Sequence, residues 1–187
     1  MAVSLRFTSA DLEVLPQDDR RYEIIDGELY VSRQPSFVHQ VACSRANWAL
    51  EDWNLRTSAG VTIYAPGLIF ADDDDVAPDV VWASHERLPA ILGQDGKLHG
   101  PPELVIEVLS PGAANERRDR DTKLRLYSRR GVDEYWIIDP QQRLVGVFRH
   151  QQGALQPVAT LREPDDLSSP LLPGFSCPVR LLFAQQP

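Results

Sequence analysis

Cysteine is scarce in this chain of 187 residues: Cys43 and Cys177 stand far apart and form no CxxC pair. That excludes a disulfide-stapled scaffold and points to a reduced, cytoplasmic protein. Long apolar runs are missing as well. Nothing approaches the ~18 apolar residues of a membrane-spanning helix, so no membrane partner is expected. The N-terminal segment has no apolar h-region and no small-residue cleavage site, so no signal peptide is read there. Positive charge is in deficit: 27 Asp and Glu oppose 19 Lys and Arg, for a net charge of -8. This excludes a protein that grips nucleic acid by bulk positive charge. It does not exclude an enzyme whose acidic site collects divalent cations. Internal repeats and low-complexity tracts are absent. What is present is 43% hydrophobic residues, enough for one domain over 1–187 with a real core.

Local signals set out the elements. Thr8 and Asp11 form a capping box for a short helix, Thr8 to Leu15, which Pro16 follows. Gln17 to Arg21 reads as polar loop. Asp26-Gly27 divides two apolar runs, Tyr22–Ile25 and Glu28–Ser32, into a hairpin, because a type I′ turn needs positive φ at both central positions. Ser36 caps a helix to about Asn54, with Phe37, Val41, Trp48 and Ala49 as its apolar stripe. His39 and Cys43 share a face of that helix at i, i+4; a thiolate and one imidazole are half a zinc site, and ordinary buried residues are the simpler reading. Strands follow at Val61–Ala65 and Leu68–Ala71, joined through Pro66-Gly67. Asp72–Asp75 reads as a solvated turn. Val76–Ala83 reads as one strand, with Pro78 marking an edge, a bulge or a start. Ser84–Gly100 is a long connection with a helical turn near Glu86–Leu92, expected as a mobile loop beside a site. Arg143–Arg149 and Leu155–Leu161 read as a peripheral hairpin, and the Pro-rich apolar tail as packed on the domain.

The stretch Pro101–Pro140 organises the rest. It holds an apolar strand, Glu103 to Leu109, then a charged helix, Asn115 to Arg130, then a second apolar strand, Glu134 to Asp139. Leu104, Ile106 and Val108 face one way and Val105, Glu107 and Leu109 the other, so the strand is central and covered on both sides. A carboxylate there needs a partner, a proton or a metal ion. Asp79, after Pro78 and before Val80-Val81-Trp82, is a second acid in apolar surroundings. Two such carboxylates make a hard-oxygen site of the kind magnesium prefers. Lys123 borders the helix stripe of Leu124, Leu126, Tyr127 and Val132, so its ammonium would reach inward to orient a water or offset developing charge. Each residue alone has a simpler reading: a turn cap for Asp79, an arginine partner for Glu107, an Asp119 pair for Lys123, and core for Tyr127.

The segments APDVVW, PELVIEVLSPG and RDRDTKLRLYSRRGVDEYWIIDP, with RYEIIDGELY and LLPGF, resemble the bacterial family described as putative restriction endonucleases, within the PD-(D/E)XK nuclease superfamily. The resemblance runs from about Thr8 to Phe183. It implies an α/β restriction-endonuclease-like core, a mixed β-sheet flanked by helices, with an N-terminal β-hairpin extension. It implies hydrolysis of DNA phosphodiester bonds with Mg²⁺ or Mn²⁺. Asp79 and Glu107 match the metal-ligand acids, and the main-chain carbonyl of Val108 would be a further ligand. The position two after Glu107 is Leu109, where the superfamily carries lysine; the family resemblance transfers that role to Lys123. His39 and Glu23 match recurrent family positions. Arg117, Arg118 and Arg120 would contact flanking phosphates, or form a solvated helix face. A homodimer is expected from the task, since cutting both strands calls for two sites. A non-catalytic nucleic-acid-binding or protein-interaction module on the same fold is the competing reading.

Overall fold

The computed structural model describes residues 5–16 and 18–183, apart from the side chains of 113 and 114. Gln17, at the head of the expected polar loop, lies outside them. Helix α1 (Ser9–Val14) carries the capping box: the Thr8 N–H donates to Asp11 Oδ2 at 2.7 Å. Strands β1 (Arg21–Ile25) and β2 (Glu28–Ser32) form the hairpin, with Asp26 and Gly27 at φ 54° and 73°. The hairpin belongs to a four-stranded sheet of order β2-β1-β5-β4, with β4 at Leu68–Ala71 and β5 at Asp74–Val76.

The larger sheet has six strands in the order β10-β9-β8-β7-β6-β3. These are β3 (Gly60–Tyr64), β6 (Val80–Ser84), β7 (Leu104–Val108), β8 (Glu134–Asp139), β9 (Leu144–Gln151) and β10 (Ala154–Arg162). Only β7 and β8 run parallel, because a helical crossover joins them, whereas the other pairs are antiparallel. The sheet is therefore mixed, as the family resemblance implies. The hairpin expected at the periphery extends this sheet, since β9 pairs with β8 along its whole length.

Every residue of β7 is buried, and its two faces feed two cores. Leu104, Ile106 and Val108 pack with helix α2 (Phe37–Thr57) and the tail residues Leu172, Phe175 and Phe183. Val105 and Leu109 pack with Leu126, Tyr127, Val132 and Tyr135. Among the described residues no helix is long and apolar enough to cross a membrane.

Three expectations are corrected. The stripe of α2 is divided: Phe37 is 76% and Trp48 63% exposed, Val41 is half-buried and Ala49 packs against the core, while His39, Ala42, Cys43, Ala46, Leu50 and Trp53 are buried. Small residues win the inner face because they let the helix lie close on the sheet, where packing is dense. The strand expected over Val76–Ala83 is divided between the two sheets. Pro78 has no N–H to give a ladder, and residues 77–79 pass between β5 and β6. The segment 84–100 holds the short helix α3 (Leu88–Ile91) and is tied to β4 through Leu98 and Leu68, away from the cleft described below.

The acidic run is also more than a solvated turn, since Asp74 and Asp75 are buried in β5. Asp74 accepts from Arg129, Arg130 and the Asp26 N–H. Burial raises its carboxyl, but these donors outweigh it and hold the pKa below the usual value. Its contribution to stability is therefore complete above the unfolded-state carboxylate pKa and is lost as pH falls through the lower folded value. Asp74→Asn is expected to cost about 2 kcal/mol, roughly 4–8 °C in melting temperature, and to flatten the acid side of the stability profile. Thermal melts between neutral and acid pH check both; equal melting of the two proteins would refute the network's role.

Candidate active site

The hairpin, α2, the end of β6 and the end of β7 enclose a cleft of about 710 Å³. Its walls include Arg20, Arg21, Arg33, His39, Asp79, Glu107, Val108, Ser110, Arg118 and Asp119. Val80 pairs with Ile106 on the antiparallel β6 and β7, and Asp79, one residue before β6, accepts the N–H of Val108, the residue after Glu107. Asp79 and Glu107 both line the cleft.

Asp79 is 3% exposed and held at several points. Its Oδ2 accepts the Val108 N–H at 2.8 Å. Its Oδ1 lies 3.1 Å from Arg21 and 3.4 Å from His39 Nε2. Burial alone would raise its pKa. The His39 hydrogen bond and charge, with Arg21 and the Val108 N–H, overcome that and bring it to about 2. Asp79 is thus a fixed anion on the cleft wall.

Glu107 is buried differently. Its Oε1 accepts from Lys123 Nζ at 2.8 Å and from the Tyr127 hydroxyl at 2.7 Å. Lys123, one of two lysines in the chain, is 1% exposed and also lies 2.8 Å from Glu23 and 4.0 Å from Asp119. Glu23 comes from β1, takes the Ala77 N–H at 3.0 Å, and has Arg118 at 3.8 Å. Its Oε2 is buried with no hydrogen-bond partner among the described residues. Burial is the largest influence on Glu107 and raises its carboxyl; Lys123 pulls it down, Asp79, Asp119 and Glu23 push it up, and the outcome is a raised pKa. Glu23 ends below its usual value, because Lys123 and Arg118 outweigh its burial.

Glu23, Asp79, Glu107 and Asp119 face Arg21, Arg118 and Lys123, with His39 against Asp79. Crowding of four buried carboxylates disfavours the charge on Glu107, whose pKa is raised. A divalent cation against Asp79 and Glu107 would relieve that crowding, and two carboxylates with a main-chain oxygen suit a hard, oxygen-seeking ion. The donor set therefore fits Mg²⁺ or Mn²⁺.

The helical crossover from β7 explains how Lys123 arrives there. It runs as α4 (Ala113–Arg117), a π-helical turn (Arg118–Lys123) and α5 (Leu124–Arg130). The wider turn buries both Asp119 and Lys123. Such turns inside helices are frequent at functional sites.

The residues named from sequence are thus placed unequally. Asp79, Glu107, Val108, His39 and Arg118 reach the cleft, whereas Lys123 and Glu23 lie behind Glu107 and do not line it. Arg120 pairs with Asp139 at 2.7 Å, and Arg117 is exposed without lining the cleft. Leu109 is core. Tyr127 is both core and a donor to Glu107. Sequence reasoning missed Arg21 and Ser110 altogether. Arg21 at the head of the hairpin strand carries no local signal, and Ser110 follows the central strand as any turn residue would.

A model of the family described as "Uma2: Putative restriction endonuclease" matches residues 9–180. Among solved structures, a putative nuclease belonging to DUF820 from Anabaena variabilis is similar over 95% of this chain and 97% of its own. The identity is 20% and the TM-score 0.77, a likeness of fold. The type IIG restriction endonuclease BpuSI matches over 65% of this chain and 13% of its own, at 14% identity and a TM-score of 0.38, too slight to carry an argument. No curated protein matches.

Proposed function

This chain belongs to the Uma2 putative restriction endonuclease family, and on that premise we propose that it is a divalent-metal-dependent endonuclease that hydrolyses DNA phosphodiester bonds. The observation that supports the reading is that Asp79 and Glu107 line one cleft within a cluster of four buried carboxylates. Asp79, Glu107 and the main-chain carbonyl of Val108 would hold Mg²⁺ or Mn²⁺. When bound, the cation would lower the pKa of a coordinated water and neutralise charge developing on the phosphoryl group.

The chain's own residues prepare that chemistry. Arg21, His39 and the Val108 N–H keep Asp79 ionised and aimed. Lys123 and Tyr127 fix Glu107 through one oxygen, and Glu23 shares the Lys123 ammonium. Lys123 therefore acts as a positioning residue, behind the carboxylate and out of reach of substrate, which departs from the water-orienting role the sequence suggested. Arg20 and Arg33 on the cleft wall would supply cations for strand phosphates, and Arg118, the one of the three expected arginines that lines the cleft, would reach them only from its pairs with Asp119 and Glu23. Pairing of two chains would place two such sites on one duplex, and residence in the reducing cytoplasm suits the two free, buried cysteines.

The test is direct. Purified protein should nick or linearise supercoiled plasmid with Mg²⁺ or Mn²⁺, and a chelator should stop it. Intact plasmid, single-stranded DNA and branched DNA under both metals would refute the enzyme. A gel shift that ignores the chelator, without cleavage, would favour the binding-module reading.

A further inference from the structure

Helix α2 sets His39 and Cys43 one turn apart on its buried face, and the start of β6 brings Asp79 against them. One ligand atom from each of the three lies within 4.8 Å of the other two. The relative exposures are 5%, 0% and 3%. We propose that His39, Cys43 and Asp79 form a site for a borderline transition metal of the zinc class, so that the cation favoured beside Asp79 is thiophilic and not only magnesium. This rests on the endonuclease reading in one respect: Asp79 faces a cation in both.

The donor chemistry makes the distinction. Nitrogen, sulfur and oxygen from His, Cys and Asp are zinc's usual ligands, whereas magnesium takes oxygen and keeps its waters. Bond lengths of ~2.0–2.3 Å put tetrahedral ligand atoms roughly 3.5 Å apart. Closing a triangle no wider than 4.8 Å therefore takes shifts on the order of 1 Å. His39 is already oriented for this. Its Nδ1 meets the Ser110 hydroxyl at 3.2 Å, and its Nε2 points at Asp79. A partner on the second ring nitrogen is the usual means of fixing a metal-binding imidazole.

A cation already stands at this place. Arg21 approaches Asp79 Oδ1 at 3.1 Å and donates to the Ala77 carbonyl at 3.0 Å, so a metal would take over its charge at Asp79 while the Ala77 bond can remain. His39 and Asp79 line the cleft, which leaves the fourth coordination position open to water or a phosphate oxygen. Binding balances by loss of the Cys43 thiol proton to solvent, one proton for each metal ion bound.

Cobalt(II) reports this site without reference to cleavage. Titrating the metal-free full chain should give one Co²⁺ per chain and a thiolate-to-cobalt charge-transfer band in the near ultraviolet. One equivalent of Zn²⁺ should bleach the band, and excess Mg²⁺ should not. Cys43→Ser, nearly isosteric, should abolish the band and weaken cobalt binding by at least ~10–100-fold, while Cys177→Ser keeps it. A thermal melt of each variant confirms the fold. A wild-type spectrum without the band, or a band that survives in Cys43→Ser, overturns the proposal. Because the spectrum of the wild-type chain is decisive, a misfolded variant does not rescue it. Cleavage with Mg²⁺ but no cobalt band sinks this inference alone; a cobalt band without cleavage under any metal sinks the endonuclease alone.

Discussion

Glu107→Gln should reduce metal-dependent DNA cleavage by at least about 10³-fold while leaving the melting temperature unchanged or higher. The two effects have one cause. Glu107 sits in the cluster where four carboxylates, Glu23, Asp79, Glu107 and Asp119, face three cations, Arg21, Arg118 and Lys123. Removing its charge relieves the crowding of four buried carboxylates, and the amide oxygen can still accept from Lys123 and Tyr127. A site that stores an awkward charge for its chemistry gains stability when that charge is deleted. Asp79→Asn should lose cleavage to a similar extent but with a lower melting temperature. Asp79 has a depressed pKa, so its ionised form stabilises the fold at neutral pH. Cleavage rates and melts of both variants measure the contrast. More than a tenth of wild-type activity in Glu107→Gln would remove it from the reaction. A large drop in its melting temperature would show that the crowding does not burden the fold.

Lys123→Met should destabilise the protein by about 3–5 kcal/mol, the usual cost of leaving buried charges without their partner. For a domain of this size that is roughly 6–20 °C in melting temperature. Glu23 and Glu107, each 2.8 Å from the ammonium, would lose their counter-ion together. In the variant the folded pKa of Glu107 rises further and that of Glu23 rises from its lowered value. The deficit is therefore greatest above the raised folded values and shrinks as pH falls through them toward the unfolded-state carboxylate range. Adding Glu107→Gln should restore a good part of the loss, because the two residues are in contact and their effects do not add. Melts of the single and double variants across pH decide the matter. A Lys123→Met protein as stable as wild type would mean that the ammonium is not the hub of this cluster. Additive losses in the double variant would mean that Glu107 is not its main partner.

Much of the architecture could be read before the structure was in hand. The Asp26-Gly27 turn, the α1 capping box, the Ser36 cap and the two-faced β7 strand depend on backbone sterics and on a side-chain period of two, which neighbouring residues alone decide. Glu107 was legible as a charge within an apolar strand, and Asp79 as an acid between Pro78 and the apolar run that opens β6. The failures have a common physics. Phe37 and Trp48 of the α2 stripe point outward, since close approach to a sheet selects Ala42, Cys43 and Ala46 over bulk. Asp74 looked like surface until Arg129 and Arg130 came to it from a helix some 55 residues later.

Glu107 shows the division most plainly. A strand pattern is local, and it sufficed to show that a buried acid must be compensated. The compensators are long-range. Tyr127 and Lys123 come over the crossover helix, where a π-helical turn with no evident sequence signature sets the depth of the lysine. Glu23 comes from a hairpin some 100 residues earlier and holds the same ammonium from the other side. Which acid has its pKa raised and which lowered depends on how many partners each one gains when distant elements meet. That is a property of the assembled fold, because Coulomb energies follow distance in space and burial, and separation along the chain carries no information about either.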